Sequence, residues 1–143
     1  MQTIQLTKIE NVNYSVNKDY NFDIFNIDDI TTNFKNEINY SESYITIELT
    51  INLKDQNNVI LLTQTLKYEF EGDFTNTMLQ KGEKNIEKER EFQRIILNVM
   101  NIALGCARGV IFAITINHPY LSQYIMPLIA TATIKDEIKK LNK

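Results

Sequence analysis

Four sets of side chains in this 143-residue chain carry the groups that chemistry needs. His118, the single histidine, stands directly before a proline in "INHPYLSQ". A general base needs a partner that orients its ring and tunes its basicity. No Ser or Cys nucleophile stands at a recognisable spacing from His118, and no second histidine completes a metal pair, so it reads as a loop or surface residue. Cys106 is the single cysteine, which excludes an intrachain disulfide and a multi-cysteine zinc site and leaves a small core side chain. Asp23, Asp28 and Asp29 form an acidic cluster, yet they lack the glycine and the terminal glutamate of a calcium loop and read as solvated. None of the 4 glycines builds a GxGxxG or Walker cradle for phosphate. Glu83 to Glu91 interleaves with Lys84, Lys88 and Arg90, the pattern of solvated first turns of a helix. The expectation is a protein that is not an enzyme and holds no metal and no cofactor.

Composition bounds the partners. A net charge of −3 supplies no basic field to gather phosphates, so nucleic acid is not expected. The start, "MQTIQLTKIENVNY", has no basic region followed by an apolar one, which points to a cytoplasmic protein. The length fits one domain spanning residues 1–143.

The elements that must position any site follow from periodicity. Ile45, Ile47, Leu49, Ile51 and Leu53 alternate with Thr46, Glu48, Thr50 and Asn52, the signature of a strand with one wet face. After the turn formers "KDQNN", the set Ile60, Leu62, Leu66, Tyr68 and Phe70 alternates again up to Gly72, which predicts an antiparallel hairpin. Phe34, Ile38 and Tyr40 mark a more polar strand upstream. Ile4, Leu6, Val12, Tyr14 and Val16 mark the first strand on even positions, with Ile9 out of phase as a sign of a bulge. "NKDYNFDIFNIDD" between these two strands reads as an irregular crossover.

From about Asn85 the period changes to that of a long helix. Glu87, Glu91, Arg94, Asn98, Asn101, Gly105 and Arg108 fall on alternating steps of four and three and form one polar stripe. Almost everything else after Phe92 is apolar, so one sheet face cannot satisfy this helix and a second surface, another subunit, is expected. Ile95, Val99, Ile102, Cys106 and Val110 are the expected interface residues. The run from Ile95 to Ile116 is long enough to cross a bilayer, but Arg108 in its interior costs about 2.5 to 3.5 kcal/mol there and the flanks lack basic anchors. Ile134, Ile138 and Leu141 predict a short amphipathic helix at the end. The fold class expected is α+β, a four-stranded antiparallel sheet with both helices on one face.

Between the helices lies "HPYLSQYIMP", framed by both prolines, which restrict regular structure at and before themselves. Tyr120, Leu121, Tyr124, Ile125, Met126 and Leu128 gather there. They form either a loop tucked over the core or the wall of a groove for another chain's apolar groups.

The order of strands, greasy helix and proline-framed crossover resembles the SecB family of bacterial export chaperones across nearly the whole chain. The family's Pro-Tyr-Ala-Arg run within the helix is matched by Ala107-Arg108, after Gly105-Cys106. Asn117-His118-Pro119-Tyr120-Leu121 stands in the place of a Gly-Phe-Pro-Pro-Leu segment, and Ile125-Met126-Pro127-Leu128-Ile129-Ala130 in that of Leu-x-Pro-Ile-Asn-Phe. The resemblance implies a dimer of dimers and an ATP-independent holdase that wraps unfolded preproteins in apolar grooves beside the crossover. Tyr120, Leu121, Tyr124, Ile125 and Met126, with Leu128 and Phe112, are then the client-binding residues. It also implies docking of the motor SecA through an acidic pair on the first strand, where Asn11 and Ser15 stand instead. SecB-like relatives in toxin–antitoxin modules suggest the other reading, a dedicated adaptor or chaperone for one partner such as an antitoxin.

Overall fold

The alternating segments become four strands, β1 (Gln5–Val16), β2 (Thr31–Tyr40), β3 (Tyr44–Lys54) and β4 (Ile60–Glu71), followed by one long helix, α1 (Ile86–Thr115). These elements come from a computed structural model that describes residues 4–75, 84–122, 124 and 126. The strands form one antiparallel sheet in the order β1-β4-β3-β2. The expected C-terminal helix around Ile134, Ile138 and Leu141 lies outside the described residues, and so does Glu83.

The central pair is the hairpin that its alternation predicts. Ile45, Ile47, Leu49, Ile51 and Leu53 of β3 face inward beside Leu62, Leu66, Tyr68 and Phe70 of β4. Asp55 builds the turn: its carboxylate accepts from the Asn57 and Val59 backbone N–H groups at 2.9 and 2.8 Å, and Asn58 takes the left-handed φ of 63° that asparagine tolerates. One residue departs from the expected alternation. A register shift at the start of β4 pairs Leu53 with Leu62 but Lys54 with Ile60, so Leu61 turns inward and Ile60 faces solvent.

Strand β1 carries two bulges, between Leu6 and Lys8 and between Asn11 and Asn13. Directly opposed residues share a sheet face. Leu6, opposite Phe70, therefore faces inward; the first bulge hands that face to Ile9 and Asn11, and the second hands it back to Tyr14 and Val16. The phase break at Ile9 is the trace of the first bulge.

From β1 the chain must reach the opposite edge of the sheet. Residues 17–30 make that crossing through two 3-10 turns, Phe22–Ile24 and Ile27–Asp29, whose first N–H groups are held by the Asn21 and Asn26 side chains. Asp23, Asp28 and Asp29 are exposed on these turns, while Tyr20, Phe25, Ile27 and Ile30 lean on the core.

Asn85 caps α1, its side chain accepting from Glu87 and Lys88 N–H at 3.1 and 3.2 Å. The helix buries Ile95, Ile96, Val99, Met100, Ala103, Leu104, Ala107 and Ile111 against the sheet, over β3 and β4. Phe92 meets Tyr40 of β2 edge-on at 4.8 Å. The helix is apolar and long enough to cross a membrane, and 44% of its most apolar window is buried inside the protein.

Candidate functional site

The segment after α1 is organised by the residue that looked least structural. His118 donates its backbone N–H to the Thr115 carbonyl at 2.9 Å, continuing the helix by a turn. Its Nδ1 accepts from the backbone N–H groups of Tyr120 and Leu121, both at 3.1 Å. The imidazole thus acts as a cap for donors that Pro119 cannot help to satisfy. His118 is the loop residue that its sequence context predicts, and burial holds its ring below the usual histidine pKa.

That turn sends alternate side chains in opposite directions. Tyr120 is 48% exposed and Leu121 is 0% exposed. Tyr124 and Met126 follow Leu121 into the core, so three residues expected to line an open groove are packed inside this protomer. The reason is local. Tyr124 N–H bonds the Leu121 carbonyl, Tyr124 hydroxyl pairs with Thr32 on β2, and Arg108 Nε donates to the Met126 carbonyl at 2.9 Å. Backbone groups without a strand or helix partner are satisfied by side chains, and the apolar groups between them are drawn inward. Burial pushes the Tyr124 phenol up. Ile125 and Leu128 lie outside the described residues.

Sequence reasoning missed the other wall of this region. Phe22 from the 17–30 crossing stacks on Tyr120, with ring centroids 4.7 Å apart and planes at 7°. It also touches His118 at 5.2 Å, while Tyr20 and Phe25 pack edge-on against it. The close spacing of Tyr20, Phe22 and Phe25 in "YNFDIF" is the signal that was there. Tyr20 ties this cluster to the hairpin turn through a 2.8 Å hydrogen bond to Asp55. Burial alone would raise the Asp55 carboxyl, but hydrogen bonds from Val59, Tyr20 and Asn57 together hold it below the usual carboxylate range.

The outer face of α1 completes the surface. Of the expected interface residues, Ile95 and Val99 are buried against the sheet, Cys106 and Val110 are half-buried, and Ile102 is exposed. The exposed stripe is polar at Arg94, Asn98 and Asn101 and turns apolar at Ile102, continuing through Gly105, Gly109, Phe112, Ala113 and Ile116. Arg108 leaves the stripe for the crossover because steps averaging 3.5 residues drift around a helix of 3.6. Phe112 is 49% exposed. Among the described residues no three His, Cys, Asp or Glu side chains gather to hold a metal ion.

Asn11 and Ser15 do not form a pair. The bulge between them puts Asn11 on the inner face, where its Oδ1 accepts from the buried Gln64 amide at 2.7 Å, and Ser15 on the outer face beside Thr63.

No protein-family model matches this chain. No curated protein matches it either. Among solved structures it is similar to a Mycobacterium tuberculosis SecB-like chaperone in complex with a ChAD peptide from the HigA1 antitoxin. The identity is 12%, the overlap covers 89% of this chain and 90% of that one, and the TM-score is 0.49. An overlap this loose assigns neither a family nor a partner.

Proposed function

We propose that this protein is an ATP-independent holdase that binds non-native polypeptide through apolar contact. The observation that carries the reading is the run of half-exposed large apolar groups, Ile102, Phe112 and Ile116, on one face of α1, continued past the helix by Tyr120. A contiguous apolar surface rimmed by polar groups marks an interaction site. Aromatic rings at its end suit shallow contacts with many different segments, because every apolar side chain packs against them and none needs a matching polar partner. The resemblance in residue order to export chaperones supports the same reading.

The second surface that α1 requires is, in this reading, another copy of the chain. Ile102, Cys106 and Val110 are the interface residues still accessible on the protomer, and the assembly is a dimer of dimers. Client binding then uses the part of the face that the assembly leaves open, around Phe112, Ile116 and Tyr120. SecA docking is not part of the proposal, since β1 offers no acidic pair where the resemblance would place it.

The test is suppression of aggregation for a panel of unrelated unfolded proteins, with solution mass measured on the same sample. The holdase reading expects several clients to be protected, without nucleotide, by a tetramer. Protection of a single antitoxin-like protein alone would replace it with a dedicated adaptor, and protection of none would refute it.

A further inference from the structure

His118 Nδ1 receives two backbone N–H groups at 3.1 Å, which requires its lone pair there and leaves the ring proton on Nε2. We propose that His118 is a proton-operated latch: protonation turns Nδ1 from acceptor to donor, breaks both hydrogen bonds, and frees the turn that folds Leu121 inward. Only the consequence, an enlarged apolar surface for clients in mild acid, rests on the holdase reading.

Among the described residues, the elements around the ring present no charge that would reverse this. The last turn of α1 carries no basic residue, and Arg108, about two turns before the helix end, is committed to the Met126 carbonyl. From residues 17–30, the Phe22 ring faces the imidazole, Tyr20 donates to Asp55, and Asp23 points to solvent. Tyr120 supplies a ring from the same segment. Among the described residues no carboxylate forms an ion pair with His118. The carbonyl end of α1 favours a cation. Against it stand partial burial and two N–H dipoles aimed at Nδ1, and the net direction is a lowered pKa.

The direction of the pH effect follows. With the latched pKa below the roughly 6.5 of a free histidine, the open segment binds more protons than the latched one. Latching is complete above about pH 6.5 and is lost as pH falls through the latched value. Arg108 and the Tyr124–Thr32 pair do not titrate in this range, so the opening is local.

The experiment is amide hydrogen exchange on the full chain between about pH 7.5 and about pH 5, corrected for intrinsic rate, on the wild type and on His118→Asn. Asn Oδ1 occupies the position of Nδ1 on the side chain and accepts without titrating. The wild type should lose protection at the Tyr120 and Leu121 amides severalfold more than at Val99 and Met100, with the midpoint of the single imidazole resonance. His118→Asn should keep it. Level protection in the wild type, an equal loss in His118→Asn, or midpoints that disagree would each overturn the latch. An apolar dye gives the consequence: brighter in acid for the wild type only if the apolar groups emerge. Exchange reads the latch whether or not any client binds, so its failure is separable from failure of the holdase reading.

Discussion

Phe112 and Leu121 stand nine residues apart, were both expected to touch clients, and are separated by the structure into different roles. Phe112 is 49% exposed and Leu121 0%. Truncating Phe112 to Ala costs the protomer only the burial of half a ring, about 2 kcal/mol of stability. A client covering the other half would gain roughly 75 to 125 Å² of apolar burial, on the order of 2 kcal/mol. Phe112→Ala should therefore weaken client binding about 30-fold while the fold survives. Leu121→Ala opens a cavity beneath the crossover and should cost about 2 to 5 kcal/mol of stability. The assays are urea unfolding for stability and anisotropy of a labelled, permanently unfolded client for affinity. A Phe112→Ala affinity within about threefold of the wild type would refute the exposed face as the binding surface. A Leu121→Ala loss of less than about 1 kcal/mol would refute the packing of the crossover.

Four further substitutions test separate links. Tyr68 hydroxyl is buried with no hydrogen-bond partner among the described residues, so Tyr68→Phe should stabilise by about 1 kcal/mol, roughly 3 °C in melting temperature; a loss of stability would reveal a partner. Burial also pushes this phenol far up, so wild-type stability should decline above about pH 10 more steeply than that of Tyr68→Phe, as seen in urea midpoints against pH. Asn85→Ala removes the acceptor for two first-turn N–H groups and should cost about 1 kcal/mol by the same measurement. A methyl group at Gly105 or Gly109 would meet nothing within 4 Å. Gly105→Ala and Gly109→Ala should each stabilise the protomer by about 0.5 to 1 kcal/mol, and a drop in solution mass instead would mean that another copy's backbone approaches there.

What the sequence made legible was periodic. The β3–β4 hairpin, the inward residues of β2 and the start of α1 at Asn85 all follow from spacing and capping chemistry. So does the first bulge of β1, because Ile9 is apolar and out of phase. The inward turn of Leu61 was hidden, since Ile60 and Leu61 are both apolar and either fits the face. The crossover was hidden for a different reason. "HPYLSQYIMP" has no period, so its apolar content alone does not say which groups turn inward, and the decision is made by hydrogen bonds with His118 Nδ1 within it and with Arg108 and Thr32 outside it. The Phe22–Tyr120 stack joins segments separated in sequence by β2, β3, β4 and α1, and neither carries a sign of the other.

The geometry of the sheet explains why apolar surface is left over. Four strands spaced about 4.8 Å apart set their outer axes roughly 14 Å apart, and α1, about 10 Å across and centred on β3 and β4, cannot by itself cover the inner face of both edges. The shortfall is visible on β1, where Ile9 lies on the inner face and is still 51% exposed, with Tyr14 exposed on the same side. The two bulges keep these groups turned inward instead of letting the strand present them to solvent on the outer face, which is built of Thr, Asn, Lys and Glu. Apolar surface thus flanks α1 on the β1 side and also runs along its back from Ile102 to Ile116. Ile9, Ile102 and Phe112 are each about half exposed, at 51%, 45% and 49%. In the holdase reading proposed above, another polypeptide, a second copy or a client, covers these groups.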